Sequence, residues 1–305
     1  MLKILKAGTY IALILLFNIF SLSSAKAIEK TCENTNDNIN YWRKVRKTAD
    51  TVNANDYVIS LASCLASPNP ELRDKIGYEV LTYWLRNDKL EENQINELKQ
   101  KLLTNLTKGS GVIEGEQAFE RAFSALILSE IVRDDSRHER WSTDELNDVL
   151  SHARKMFEAE RDYRGLDIKL GWIHTIAHGS DLLWRLSLHP KITKQQQIEL
   201  LTSLKSQIAR SNAPAYIFNE PDRLTRVAIS IILSEKLDAE FVVEWIAGIG
   251  LPAPMPNWNA AFSTPDGMAK LHNTKQFLRA LRQPLQANQE PEILNAIDSV
   301  LSKLP

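Results

Sequence analysis

Apolar residues recur every three to four positions through most of this chain and alternate in twos almost nowhere. The first spacing belongs to helices that bury one stripe; the second would mark strands. Residues 71–85 place Leu72, Ile76, Val80 and Leu81 on one face, with Tyr83 and Trp84 near the end. Residues 119–132 repeat the spacing from Phe119 and Phe123 into Leu126-Ile127-Leu128. Segments 90–106, 143–157, 194–208, 224–237, 239–246, 268–281 and 291–301 behave alike. Breakers stand between them: Ser67-Pro68-Asn69-Pro70, Gly109-Ser110-Gly111, Asn212-Ala213-Pro214 and Pro252-Ala253-Pro254-Met255-Pro256. Ser142 and Glu145 have the spacing of a capping box. The pattern predicts an all-α protein.

A longer period lies over the helical one. Arg73, Arg121, His174, Arg223 and His272 each fall near the start of an apolar segment, at separations of 48, 53, 49 and 49. Helix pairs that recur at about 40–50 residues build armadillo- or HEAT-like α-α superhelices. The expectation is one stacked domain over residues 28–305. Its first turns would line one continuous surface with those five residues, accompanied by Asp74, Glu120, Asp162 and Asp222.

The first 27 residues stand apart. Lys3 and Lys6 precede an apolar run over 7–20, and Ala25-Lys26-Ala27 follows. A basic start, a short apolar core and an A-x-A site describe a secretory signal, cleaved here after Ala27. The run is short of the about 20 residues that span a bilayer, so no membrane span is expected after cleavage. Removing Lys3, Lys6 and Lys26 leaves 34 of the 37 basic residues against 38 acidic ones, a formal charge of −4. That balance, together with export, argues against a nucleic-acid partner. The protein is expected in the periplasm or the medium, where its two cysteines, Cys32 and Cys64, would form a disulfide; two buried thiols are the alternative. Neither belongs to a C-x-x-C pair, so no zinc or redox role is read there.

Candidate chemistry concentrates in residues 160–181. Glu160-Arg161-Asp162-Tyr163-Arg164-Gly165 leads to Gly171-Trp172-Ile173-His174, and then to Ala177-His178-Gly179-Ser180-Asp181. On a helix starting near Gly171 or Trp172, His174, His178 and Asp181 share one face. Three readings compete. The histidine pair can chelate a divalent metal, with Glu160 or Asp162 as a third ligand, in a metal-dependent hydrolase centred on His174 and His178. Thr175 stands where the H-E-x-x-H motif needs its glutamate. Asp181, about 10.5 Å along the axis from His174, would orient His178 instead. In the second reading His174 lies in the first helical turn and, with Arg164, receives an anion. In the third the centre is a buried network, with Asp162 on Arg161 or Arg164, Asp181 on His178, and Gly179 allowing close helix approach. Trp172 and Trp184 are read as core, and the basic run 43–47 as a solvated face.

The central block resembles the core signature of a bacterial family of all-helical proteins known only as a domain of unknown function. It does so through Glu160-x-Asp162-x-Arg164-Gly165 and Gly171-Trp172-x-His174-x-x-Ala177-His178-Gly179-x-Asp181. Three further blocks are similar: Leu72-Arg73-Asp74-x-x-Gly77-Tyr78 with Trp84, Phe119-x-Arg121-Ala122-Phe123-Ser124-Ala125-Leu126, and Glu220-x-Asp222-Arg223-Leu224. The resemblance covers about residues 70 to 285. It implies an armadillo-like helical fold and no established activity, substrate or cofactor. The expected function is therefore a binding or scaffold module, with a polar groove for a peptide, a protein or a small anionic ligand. Its candidate ligand residues are Arg73, Arg121, Asp162, Arg164, Trp172, His174, His178, Asp181 and Arg223.

Overall fold

Each long apolar stripe in the sequence becomes one helix of a two-row arrangement. The computed structural model describes residues 31–288 and 290–305; the expected signal segment and its cleavage site lie outside them. The helices are α1 (Asn36–Lys47), α2 (Val58–Ala62), α3 (Glu79–Arg86), α4 (Glu92–Asn105), α5 (Gln117–His138) and α6 (Thr143–Ala159). They continue as α7 (Thr175–Ser187), α8 (Lys194–Ile208), α9 (Glu220–Ile232), α10 (Ala239–Ile249), α11 (Pro265–Ala287) and α12 (Pro291–Lys303). A wide-turned π-helical segment, Glu71–Tyr78, runs directly into α3. The fold is all-α.

One row passes from α3 to α5, α7, α9 and α11, each packed on the next. The helix before each of three row members covers it: α4 packs on α5, α6 on α7, and α8 on α9. The five residues of the long period fall along this row. Arg73 lies in the π-helical segment, Arg121 and Arg223 lie early in α5 and α9, His174 precedes α7, and His272 lies further into α11. They do not line one surface. Arg73 and Arg121 are buried side chains, so the row carries them inside the packing.

The core runs the length of the row, with Trp42, Trp84, Phe157 and Phe277 fully buried among leucines and isoleucines. Gly179 permits the α6–α7 contact, because a Cβ there would meet the Phe157 ring at 2.8 Å. The Ser142–Glu145 capping box is formed at the start of α6. A second box, Thr193 with Gln196, opens α8. Each such cap contributes about 1 kcal/mol.

Cys32 and Cys64 are joined in a disulfide, with Cα atoms 4.9 Å apart. Cys64 sits in the 3-10 turn Ser63–Ala66 that follows α2. The run 43–47 behaves as expected of a solvated face, Arg43 and Arg46 pairing with Glu71 and Glu79 at the surface. Among the described residues, no helix is long and apolar enough to cross a membrane.

Candidate functional site

Between α6 and α7 the chain makes a small hairpin. Leu166–Asp167 pairs antiparallel with Gly171–Trp172, in the register Leu166↔Trp172 and Asp167↔Gly171. Asp167 closes the turn by accepting from the Lys169 and Leu170 amides at 2.7 and 2.8 Å. Gly171 takes φ 70°, which glycine adopts without the strain of a Cβ. The helix expected to begin near Gly171 or Trp172 therefore begins at Thr175 instead. His174 is its N-cap rather than a residue of its first turn, and it holds a left-handed φ of 55° with no side-chain cap bond. A non-glycine residue in that region is strained, and such strain gathers at functional sites.

Two charged networks brace the loop that leads into this hairpin. Arg121 grips Glu160 through two bonds of 3.0 and 2.9 Å, with both side chains fully buried. Glu160 Oε1 also accepts from the amides of Arg161 and Asp162. Arg164 folds back on Asp162 and donates to the Gly115 carbonyl at 3.0 Å. Thr175 donates to the Asp162 carbonyl. Arg73 binds the far end of the hairpin, donating to the Leu170 carbonyl at 2.7 Å and to Asp74 at 2.7 Å. Its guanidinium lies over the Phe119 and Phe123 rings, 4.5 and 4.9 Å from their centres. Every charge in these networks is answered, as buried charges require.

The histidines are different. His174 Nε2, His178 Nδ1 and Asp181 Oδ1 are buried polar atoms without a hydrogen-bond partner. All three residues are more than nine-tenths buried. A desolvated polar atom without a partner costs about 1–3 kcal/mol, so three together call for an explanation. They line two adjoining cavities of about 690 and 340 Å³, which share Tyr78, Leu126, His178 and Arg223. Trp172 forms a wall of the larger one, stacked on His174 at 4.8 Å and meeting Phe218 edge-on at 6.2 Å. The Phe123 ring meets His178 edge-on at 4.9 Å. Gly165 makes room for Phe218, whose ring a Cβ at residue 165 would overlap.

Burial sets the charge states. It lowers the pKa of His174 to about 4, helped by the neighbouring Arg223 cation and opposed by a backbone hydrogen bond with Phe218. His178 is pushed well below the usual histidine range by burial first, then by His174, Arg223 and Arg73, against a backbone hydrogen bond with Ala122. Both imidazoles are neutral at pH 7. Burial also raises the Asp181 carboxyl, against the pull of Arg223. Glu220 is raised by burial, against bonds from backbone amides.

Several sequence expectations change here. Asp181 does not orient His178; it is held by Arg223, with Arg226 at 3.8 Å from its other oxygen. Of the two partners expected for Asp162, it is Arg164 that holds it. Glu160 and Asp162 are engaged by Arg121 and Arg164, so neither is available as a third metal ligand beside the histidines. Trp172, 40% exposed, leaves the core assigned to it and faces the larger cavity, whereas Trp184, half-buried, packs against the core and also lines the smaller one. Of the candidate ligand residues, Trp172, His174, His178, Asp181 and Arg223 meet at the paired cavities. Arg121 and Asp162 do not line them, Arg164 lines a different cavity, and Arg73 braces the hairpin from below Phe123.

The residues that sequence reasoning left out are Tyr78, Phe123, Phe218, Asn219 and Glu220. Tyr78, Phe123 and Glu220 stand in the quoted blocks, so the signal was present as co-occurrence. What was missing was the knowledge that α5, α7 and α9 are neighbours. A metal would find few ligands. His174 Nε2 and Glu220 Oε1 are 3.8 Å apart, but no choice of ligand atoms brings these two and His178 together within 4.8 Å. Among the described residues such a trio occurs at Asp88, Asp134 and His138, away from the cavities.

A family model described as "Protein of unknown function (DUF2785)" matches residues 102–282, more than half of the 305-residue chain. No curated protein and no solved structure matches it.

Proposed function

This chain belongs to the DUF2785 family, and on that premise we propose that it is a binding module of the cell envelope, with the paired cavities at His174 and His178 as its ligand cleft. The observation that carries the reading is the contrast between two groups of polar residues. The bracing charges beside the hairpin are all bonded, whereas three buried atoms that face the cleft are not. A fold does not need unpaired buried atoms; a ligand that supplies their partners explains them. Neutral imidazoles hydrogen-bond without adding charge, and which nitrogen donates is set by the bond the other makes. The exposed Trp172 ring, with Phe218 at its edge, offers a flat apolar face beside them. The end of a peptide, or a small polar ligand with a planar group, fits such a wall and floor. Arg223 and Lys75 also line the cleft but are paired with Asp181 and Glu79, so the cleft favours a neutral polar ligand over a carboxylate.

Export follows from the first 27 residues and agrees with the disulfide. Titration calorimetry of tag-free protein with short peptides tests the binding reading. At least one should bind to the parent and lose roughly tenfold or more in His178→Ala, the loss expected of one buried hydrogen bond. Peptide binding that survives in both His174→Ala and His178→Ala would place the ligand elsewhere.

The metal-dependent hydrolase remains a second reading because of one distance. His174 Nε2 and Glu220 Oε1, at 3.8 Å, are spaced for a single bridging atom. Stoichiometric zinc, manganese or iron in tag-free protein, lost in His174→Ala, would favour it over the binding module.

A further inference from the structure

A second cavity, of about 490 Å³, shares no lining residue with the histidine cleft. It opens where α6 ends. Arg161 donates through Nη1 to the carbonyls of Glu158 and Glu160, at 3.0 and 2.7 Å. Arg210 arrives from the end of α8 and donates through its own Nη1 to the same Glu158 carbonyl, at 3.1 Å. Two guanidinium groups thus converge on one oxygen. Among the described residues, neither has a carboxylate within 4.0 Å. The nearby acids are engaged: Glu160 by Arg121, Asp162 by Arg164, and the Glu158 carboxylate by Ser203 and Arg154. Burial lowers the pKa of Arg161, Arg210 acts in the same direction, and Tyr163 and Glu160 oppose them.

Capping the last carbonyls of α6 explains one nitrogen of each guanidinium. It does not explain why two uncompensated cations share the cap, since one would serve. Each fork still has Nη2 and Nε to offer, the geometry that binds oxyanions in pairs of parallel bonds. The walls fit more than a bare ion. Tyr163, Ile113 and Pro214 line the same cavity, and Ile113 is 73% exposed, an apolar side chain held out beside a charged pocket. Arg164 also lines it but is neutralised by Asp162. One exposed acid, Glu114, stands at the rim, so two free cations face a single negative charge.

We propose that this cavity is a second binding site, for a phosphomonoester, with the dianionic phosphate on Arg161 and Arg210 and its organic group against Tyr163, Ile113 and Pro214. Two guanidinium forks can divide the three terminal oxygens of a phosphate, whereas a carboxylate has only two. The site is independent of the histidine cleft.

The test uses tag-free parent protein at fixed ionic strength, titrated with phenyl phosphate, inorganic phosphate and benzoate, followed by calorimetry and by thermal shift. Phenyl phosphate should bind most tightly, and more tightly at pH 7.5 than at pH 5.5, because its second proton leaves near about pH 6. Arg161→Gln and Arg210→Gln should each weaken it by roughly tenfold, the weight of one charge-assisted contact. His178→Ala should leave it unchanged, which separates this site from the cleft. No saturable binding of phenyl phosphate to the parent would overturn the proposal, whatever the variants do. Equal binding of benzoate would overturn the choice of a dianion, and equal binding of inorganic phosphate would overturn the organic subsite. Arg161→Gln and Arg210→Gln proteins that melt lower yet bind phenyl phosphate as the parent does would show two helix caps and no site.

Discussion

His174 Nε2 stands 3.8 Å from Glu220 Oε1, too far for a hydrogen bond and near enough for one atom to bridge them. The two residues come from different helices of the inner row: His174 caps α7, and Glu220 opens α9. Each is otherwise anchored. The second Glu220 oxygen accepts from the Phe218 amide at 2.8 Å, and the His174 amide donates to the Arg164 carbonyl at 3.0 Å. Backbone bonds therefore hold the gap between the side chains open.

The bracing network should behave oppositely. Arg121→Ala leaves the Glu160 carboxylate buried beside two amides and no cation. Stability should fall by about 3–5 kcal/mol, measured by urea denaturation. The double variant Arg121→Met, Glu160→Leu should recover much of that loss, because it removes both charges together. A loss below about 1 kcal/mol for Arg121→Ala would mean that the pair does not hold the hairpin.

Gly165→Ala tests how the aromatic wall is kept. The added methyl overlaps Phe218, so the ring must move or the hairpin must shift. A loss of about 1–3 kcal/mol is expected, the usual consequence of overpacking. The emission of Trp172, which meets Phe218 edge-on, should change with it. An unchanged spectrum and unchanged stability would show that Phe218 does not depend on residue 165.

Acid should destabilise the protein through His174. Above its unfolded value of 6.5, both states are neutral and the residue contributes nothing. Between 6.5 and about 4 the unfolded chain binds a proton that the folded chain refuses, so stability falls as pH falls. The loss from this residue at pH 5 is on the order of 2 kcal/mol. His178 acts in the same direction. Asp181 and Glu220, whose folded carboxyls are raised, act in the opposite one. The comparison that isolates His174 is therefore the parent against His174→Asn, unfolded at pH 7.5 and at pH 5. The parent should lose more stability than the variant on acidification; equal losses would show that His174 is protonated freely in the fold.

Reduction of the Cys32–Cys64 bridge, 32 residues apart, should lower stability by about 3.5 kcal/mol on the loop-entropy estimate. Non-reducing mass spectrometry of protein recovered from the periplasm should find the two peptides linked. Free thiols there would contradict the bridge.

Much of the architecture is legible in the sequence for a simple reason. Long amphipathic helices announce themselves through periodicity, and Ser142 with Glu145 announces a cap through local chemistry. The five-residue register located the inner row but not the direction of its side chains. Arg73 and Arg121 sit at helix starts as the spacing suggests, yet turn inward onto aromatic rings and a buried carboxylate. The hairpin at Leu166–Trp172 left no trace, because two-residue strands carry no period. The same hairpin decided the site: it delayed α7 to Thr175, put His174 in a left-handed cap and brought Trp172 to the surface. Pairings such as Asp181 with Arg223 depend on which helices become neighbours, which one sequence does not state.

The central claim is that His174 belongs to a ligand site and not to the scaffold, and the melting temperature of His174→Asn tests it most directly. Asparagine adopts the left-handed conformation readily, as Asn219 does at the equivalent position before α9, so the substitution keeps the backbone. It also removes a buried nitrogen that has no partner. If the cleft is a site whose function is maintained at some expense in stability, the variant should melt at or above the parent temperature and lose peptide binding. A variant that melts markedly lower, by the equivalent of about 2 kcal/mol or more, would show that His174 braces the fold and would contradict the account.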